Sequence, residues 1–140
     1  MPIRPALLLL AAVPFAVAAA PIEVAVTNVT QAKGRVHVDI CSQKLFMGSD
    51  CLYSGEAPAV IGTTIVTIPN VPPGRYAAQV FHDLDGNGKL KRNLFGIPTE
   101  PVGFSRDAPI HFGPPKWEDA MFDHGGETQR ITLSLRTKFF

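Results

Sequence analysis

The chain has 140 residues, with 13 Lys and Arg against 12 Asp and Glu, and 46% of its residues are hydrophobic. A formal charge of +1 at pH 7 excludes the overall basic character by which whole chains engage nucleic acid or anionic membranes. The length suits one small domain.

The N-terminus reads as an address rather than as fold. Arg4 makes a short basic start, Ala6 to Val17 is mostly apolar, and Ala18-Ala19-Ala20 supplies small residues for cleavage. Residues 1–20 therefore read as a secretory signal peptide, too short and too alanine-rich for a membrane span. Residues 21–140 are expected to form one exported domain, periplasmic or extracellular, with no second apolar stretch long enough to cross a bilayer.

Alternation of apolar and polar residues dominates the rest of the chain. Ile22, Val24 and Val26, then Val36, Val38 and Ile40, and much later Ile131, Leu133 and Leu135, each mark one face of a half-buried strand. The β-branched run Thr63 to Ile68 adds another strand, and Arg75 to His82 comes after the turn signal Val71-Pro72-Pro73-Gly74. Gln31-Ala32-Lys33-Gly34 is expected to close a hairpin. Cys41 and Cys51 are the two cysteines, and in an exported chain they are expected to pair as a structural disulfide across Ser42 to Asp50. Their spacing is wider than that of a catalytic dithiol.

These signals predict an all-β chain, a small antiparallel β-sandwich of immunoglobulin-like or prealbumin-like kind. From about residue 83 to 129 the pattern breaks into a long Gly/Pro-rich excursion carrying Phe95, Ile97, Phe104, Phe112, Trp117, Met121 and Phe122. Loops of this length in a compact domain are functional or disordered. The aromatic content predicts order, with a satellite core over the sandwich and one or two helical turns between Trp117 and Phe122.

The densest chemistry stands where that excursion begins, in Phe81-His82-Asp83-Leu84-Asp85-Gly86-Asn87-Gly88-Lys89-Leu90. Asp83, Asp85 and Asn87 place oxygens at alternate positions, Lys89 offers a carbonyl, and glycine allows the chain to wrap them round a hard cation such as calcium. The glutamate that closes such a loop at its twelfth position is replaced by Leu94, and the ninth position is Lys91. Ligands folding back from the excursion, Asp119 among them, would have to complete the shell. Lys89, Lys91 and Arg92 oppose binding, each by about 1 kcal/mol at an effective dielectric typical of a protein surface. The same residues are also ideal for a turn, so a turn alone and a weak calcium site both remain open.

Other constellations are less organised. The histidines match no zinc spacing. His82, Asp83, Glu100, Asp119 and His124 contain the ingredients of acid–base chemistry but no nucleophile elbow or phosphate loop. A ligand surface built from His82, Phe104, Phe112, Trp117 and His124 is the alternative to burial of those aromatics in a satellite core.

Several motifs in fixed order resemble a known family. They are Pro72-Pro73-Gly74-Arg75-Tyr76, Phe81-His82-Asp83 with Asn87-Gly88-Lys89-Leu90, Gly96-Ile97-Pro98, Gly103-Phe104-Ser105, and Phe112-Gly113-Pro114-Pro115 with Glu118-Asp119-Ala120. Together they resemble the bacterial domain of unknown function 2141 family. The resemblance implies an exported β-sandwich and carries no established activity. Family members often have an acidic residue after the Gly-Lys-Leu, where this chain has Lys91. A wider likeness, to prealbumin-like and B-type-repeat sandwiches, rests on the Pro-Pro-Gly-x-Tyr turn and is one of fold alone.

The sequence thus points to an exported, non-catalytic β-sandwich that binds or scaffolds, needing no cofactor beyond a weakly held calcium ion. Its partner would be a protein or a small molecule. The alternative is a periplasmic hydrolase or ligand-binding protein using a His/Asp site at the excursion.

Overall fold

The computed structural model describes residues 1–12, 18–111 and 113–138. Residues 13–17, within the expected signal peptide, Phe112 and the terminal Phe139-Phe140 therefore lie outside the described residues. Leu7 to Leu10 are each at least 85% exposed, and both hydrophobic clusters are drawn from residues beyond them.

Among the described residues eight strands form two sheets: β1 (Ala20–Val29), β2 (Arg35–Cys41), β3 (Tyr53–Pro58), β4 (Gly62–Val71), β5 (Gly74–Asp83), β6 (Val102–Phe104), β7 (Phe122–His124) and β8 (Gln129–Ser134). One sheet has the order β4-β1-β8 and the other β3-β2-β5-β6, with β7 paired to the start of β5. The alternating residues meet between them. Ile22, Val24 and Val26 of β1 face Val36, Val38 and Ile40 of β2 in one core with Val66, Ile68, Val80 and Leu133. This is the sandwich the alternation predicts.

Two connections differ from expectation. The segment Gln31 to Gly34 does not close a hairpin: β1 belongs to one sheet and β2 to the other, so it crosses between layers. Turn chemistry specifies a reversal but not which sheet the next strand joins. The strand β8 pairs parallel with β1, Ile22 opposite Gln129 through Thr27 opposite Ser134, in an otherwise antiparallel fold. A parallel neighbour needs a long crossover connection, and the whole intervening chain provides one. The sandwich closes on this side where β6 meets β8. A Cβ on Gly103 would stand 2.7 Å from the Ser134 carbonyl oxygen, so only glycine permits the approach.

The excursion is ordered, and much of it joins the sheet. β6 and β7 pair with β5, and between them lie a 3₁₀ turn (Ser105–Asp107) and one α-helical turn, α1 (Trp117–Ala120). Ala77 and Phe81 point from β5 away from the central core and meet Val102, Phe104, Ala108, Ala120 and Trp117. This satellite core covers the outer face of β5, which is why that strand lacks a clean alternation of burial.

The disulfide Cys41–Cys51 is present, with Cα atoms 4.9 Å apart. The loop it closes is tied to β5 by Gln79, whose Oε1 accepts from Met47 N–H (2.9 Å) and whose Nε2 donates to Gly48 O (2.8 Å). That position sets Phe46 edge-on to Trp117 and Phe104, at centroid distances of 5.8 and 6.2 Å.

Candidate cation site

At its C-terminal end β5 leaves the sheet at Asp83 and the chain turns at once. The turn is held by its own side chains. Asp83 Oδ2 accepts from Gly88 N–H (2.8 Å), Asp85 Oδ1 from Asn87 N–H (3.3 Å) and Asn87 Oδ1 from Lys89 N–H (2.9 Å). Positive φ at Gly86 and Gly88 allows the backbone to curl round them.

Glu100 completes the arrangement from just beyond the short hairpin in which Arg92 pairs with Pro98. It is 3% exposed, and its two carboxylate oxygens accept from Leu84 N–H (2.7 Å) and Lys91 N–H (2.8 Å). Asp83, Asp85 and Glu100 thereby form an acidic knot whose carboxylates offer oxygens within 4.8 Å of one another, the one such cluster among the described residues. Asp83 is 2% exposed, and its Oδ1 is buried without a hydrogen-bond partner.

The charge is unbalanced. Lys91 Nζ lies 2.9 Å from Asp85 Oδ2, and this ammonium, helped by the Asn87 N–H and opposed by burial, holds the Asp85 carboxyl below the usual carboxylate range. In turn Asp85 raises the Lys91 ammonium. One ammonium faces three carboxylates, two of them buried. Like charges in a poorly solvated place repel, and an unpaired buried carboxylate oxygen is costly.

The structure separates the remaining sequence candidates. Asp119 is exposed on α1, which is fixed near the middle of β5 through Ser105: its Oγ donates to the Ala120 carbonyl and accepts from Ala78 N–H. Asp119 is not part of the carboxylate cluster. His82 is buried with Nε2 donating to Lys33 O (2.6 Å), and His124 is buried with Nε2 donating to Val71 O (3.0 Å). His124 pairs with Gly74, eight residues along β5 from His82, which is about 26 Å at a strand's rise per residue. Phe104 is buried and Trp117 half-buried in the satellite core, and Phe112 lies outside the described residues. His82 and His124 thus stand at opposite ends of β5, while Phe104 and Trp117 share the satellite core.

Glu100 is the residue that sequence reading misplaced. No spacing template joins it to Asp83, because the intervening residues fold as a separate small hairpin, Arg92 pairing with Pro98.

The fold and the knot define a small all-β sandwich with an acidic turn at the end of a central strand. A family model described as "Uncharacterized protein conserved in bacteria (DUF2141)" matches residues 24–132, and the chain belongs to that family. No curated protein and no solved structure matches it.

Proposed function

We propose that the chain is an exported, non-catalytic β-sandwich module that holds a calcium ion in the Asp83/Asp85/Glu100 knot. The single observation carrying this reading is the buried, unpartnered Asp83 Oδ1 inside a cluster of excess negative charge. All the donors are hard oxygens, which suits calcium rather than zinc or copper. Asn87 lies on the same turn, and backbone carbonyls and water would complete a shell of six to eight oxygens. The Cys41–Cys51 disulfide suits an oxidising compartment, and among the described residues no helix is long and apolar enough to cross a membrane.

Affinity is expected to be low, about 10⁻⁴ to 10⁻³ M as in extracellular modules, because Lys91 already neutralises part of the knot and backbone N–H groups occupy many of its lone pairs. The test is a thermal melt of the chain from Ala18 onward, which retains both hydrophobic clusters. Calcium at several millimolar should raise the midpoint by roughly 3 to 8 °C over chelator. Asp83→Asn keeps an acceptor for Gly88 N–H and should abolish the response without unfolding the chain. Lys91→Gln should tighten binding roughly fivefold. Identical melts with calcium and with chelator would overturn the reading.

A further inference from the structure

The short hairpin between the knot and Glu100 ends in two side chains that nothing covers. Leu94 is 101% and Phe95 88% exposed relative to the free residue, although their neighbours Leu90 and Ile97 pack against the satellite core. Chance looseness does not account for this exposure, because the turn beneath them is fully tied. Asn93 Oδ1 accepts from both Phe95 N–H (2.9 Å) and Ile97 N–H (3.0 Å), Asn93 O accepts from Gly96 N–H (3.0 Å), and Lys91 O accepts from Thr99 N–H (2.9 Å). Arg92 Nη1 donates to Gly96 O (2.9 Å) across the same hairpin.

Along the sequence, the segment that carries the tip is of one sign, while the acidic knot lies at its base and takes up Lys91. Lys89, Lys91 and Arg92 precede it, and no acidic residue occurs between Asp85 and Glu100. Over the whole chain positive and negative charge nearly balance, so this basic stretch is a local feature that the net charge conceals.

We infer that the hairpin tip is an interfacial anchor: Leu94 and Phe95 enter the headgroup region of an anionic lipid bilayer, and Lys89 and Arg92 pair with its phosphates. Large apolar side chains give depth at such an interface, and flanking cations give attraction to anionic lipid. An uncharged apolar groove on a protein would match Leu94 and Phe95 but leave the basic collar without a partner, and a second copy of this hairpin would repel it.

The test is vesicle co-flotation of the chain from Ala18 onward, with chelator present throughout. Its outcome then stands apart from whether the knot takes calcium. Binding is expected to phosphatidylglycerol-containing vesicles, to weaken as salt rises, and to be lost on pure phosphatidylcholine. The double variant Leu94→Ser/Phe95→Ser removes nothing from the core, so its melting midpoint should match the parent chain while its partitioning falls about tenfold or more. Lys89→Ala/Arg92→Ala should lower partitioning roughly fivefold per charge and flatten the salt dependence. In Phe95→Trp, indole emission should shift to the blue on adding anionic vesicles, relative to the parent chain.

Equal partitioning of the parent chain and the serine double variant would overturn the inference. So would absence of binding to anionic vesicles, including the case in which sedimentation shows a dimer that the serine variant converts to monomer.

Discussion

His37 illustrates how one side chain on the outer face of a sheet is given a charge preference. Its Nε2 lies 2.9 Å from Asp39 Oδ1, its Nδ1 lies 3.7 Å from Glu56 Oε2, and its ring rests against Phe81 at 5.1 Å. The hydrogen bond to Asp39 raises the imidazole above its ordinary value, burial opposes the shift, and Glu56 adds to it. A group raised in the folded state stabilises fully below its unfolded value, and that contribution is lost as pH rises through the folded one. Stability from this source should therefore decline as pH rises above the ordinary histidine value of 6.5. Denaturant unfolding above that value should show a slope that His37→Gln reduces. The Asp85–Lys91 pair works in the opposite sense: its contribution is present above the usual carboxylate range and is lost as pH falls through the depressed Asp85 value. Asp83 is legible in the sequence as a candidate ligand, yet it acquires its meaning only from burial, since an exposed carboxylate in the same sequence would simply be solvated.

The excursion and the disulfide loop fold against each other as elements. Period-2 patterning identifies β1, β2 and β8, because each has an apolar face that must be buried, while a β-branched run identifies β4 and β5 is marked by the Pro-Pro-Gly turn before it. It does not identify β3, where Tyr-Ser-Gly-Glu-Ala-Pro carries little β-branched character, nor β6 and β7, which are three residues each. β6 and β7 form because β5 presents backbone donors and acceptors that must be paired once its outer face is covered, and β3 forms on the free edge of β2 for the same reason. The Cys41–Cys51 pair is legible as the two cysteines of the sequence, but its effect on Phe46 is not. Replacing both cysteines by alanine should cost about 2 to 3 kcal/mol, measured by denaturant unfolding. Trp117, the one tryptophan of the chain, should also change its emission as Phe46 loses its fixed position beside it.

At the scale of the whole molecule, the last strand holds the first. Thr27 Oγ1 donates to Leu133 O (3.2 Å), and Asn28 Nδ2 donates to Leu135 O (2.8 Å), across more than a hundred residues of chain. Leu133, 1% exposed, also fills the junction where Gly103 lets β6 close on β8. Leu133→Ala should cost about 2 to 5 kcal/mol, a large part of the roughly 5 to 15 kcal/mol that holds an ordinary domain folded. A drop of that size in the unfolding free energy, with overall strand content retained by circular dichroism at low temperature, is the expected result. An effect under about 1 kcal/mol would mean that β8 is dispensable to the core.

By itself the sequence determined what each segment could become. Alternating faces made strands, two cysteines ten residues apart made a staple, and Asp, Asn and Gly at close spacing made a tight turn with oxygens turned inward. All of these arise from interactions within a few residues. Tertiary structure alone decided which faces met. It sent β2 to the second sheet, set β8 parallel beside β1, left Leu94 and Phe95 in solvent, and brought Glu100 to Asp83. The reason is that an apolar face or a carboxylate specifies the kind of partner it needs but not its position in the chain. That choice is made by covering every face and pairing every buried polar group at once, and Asp83 Oδ1 is the acidic oxygen that this solution leaves unpaired among the described residues.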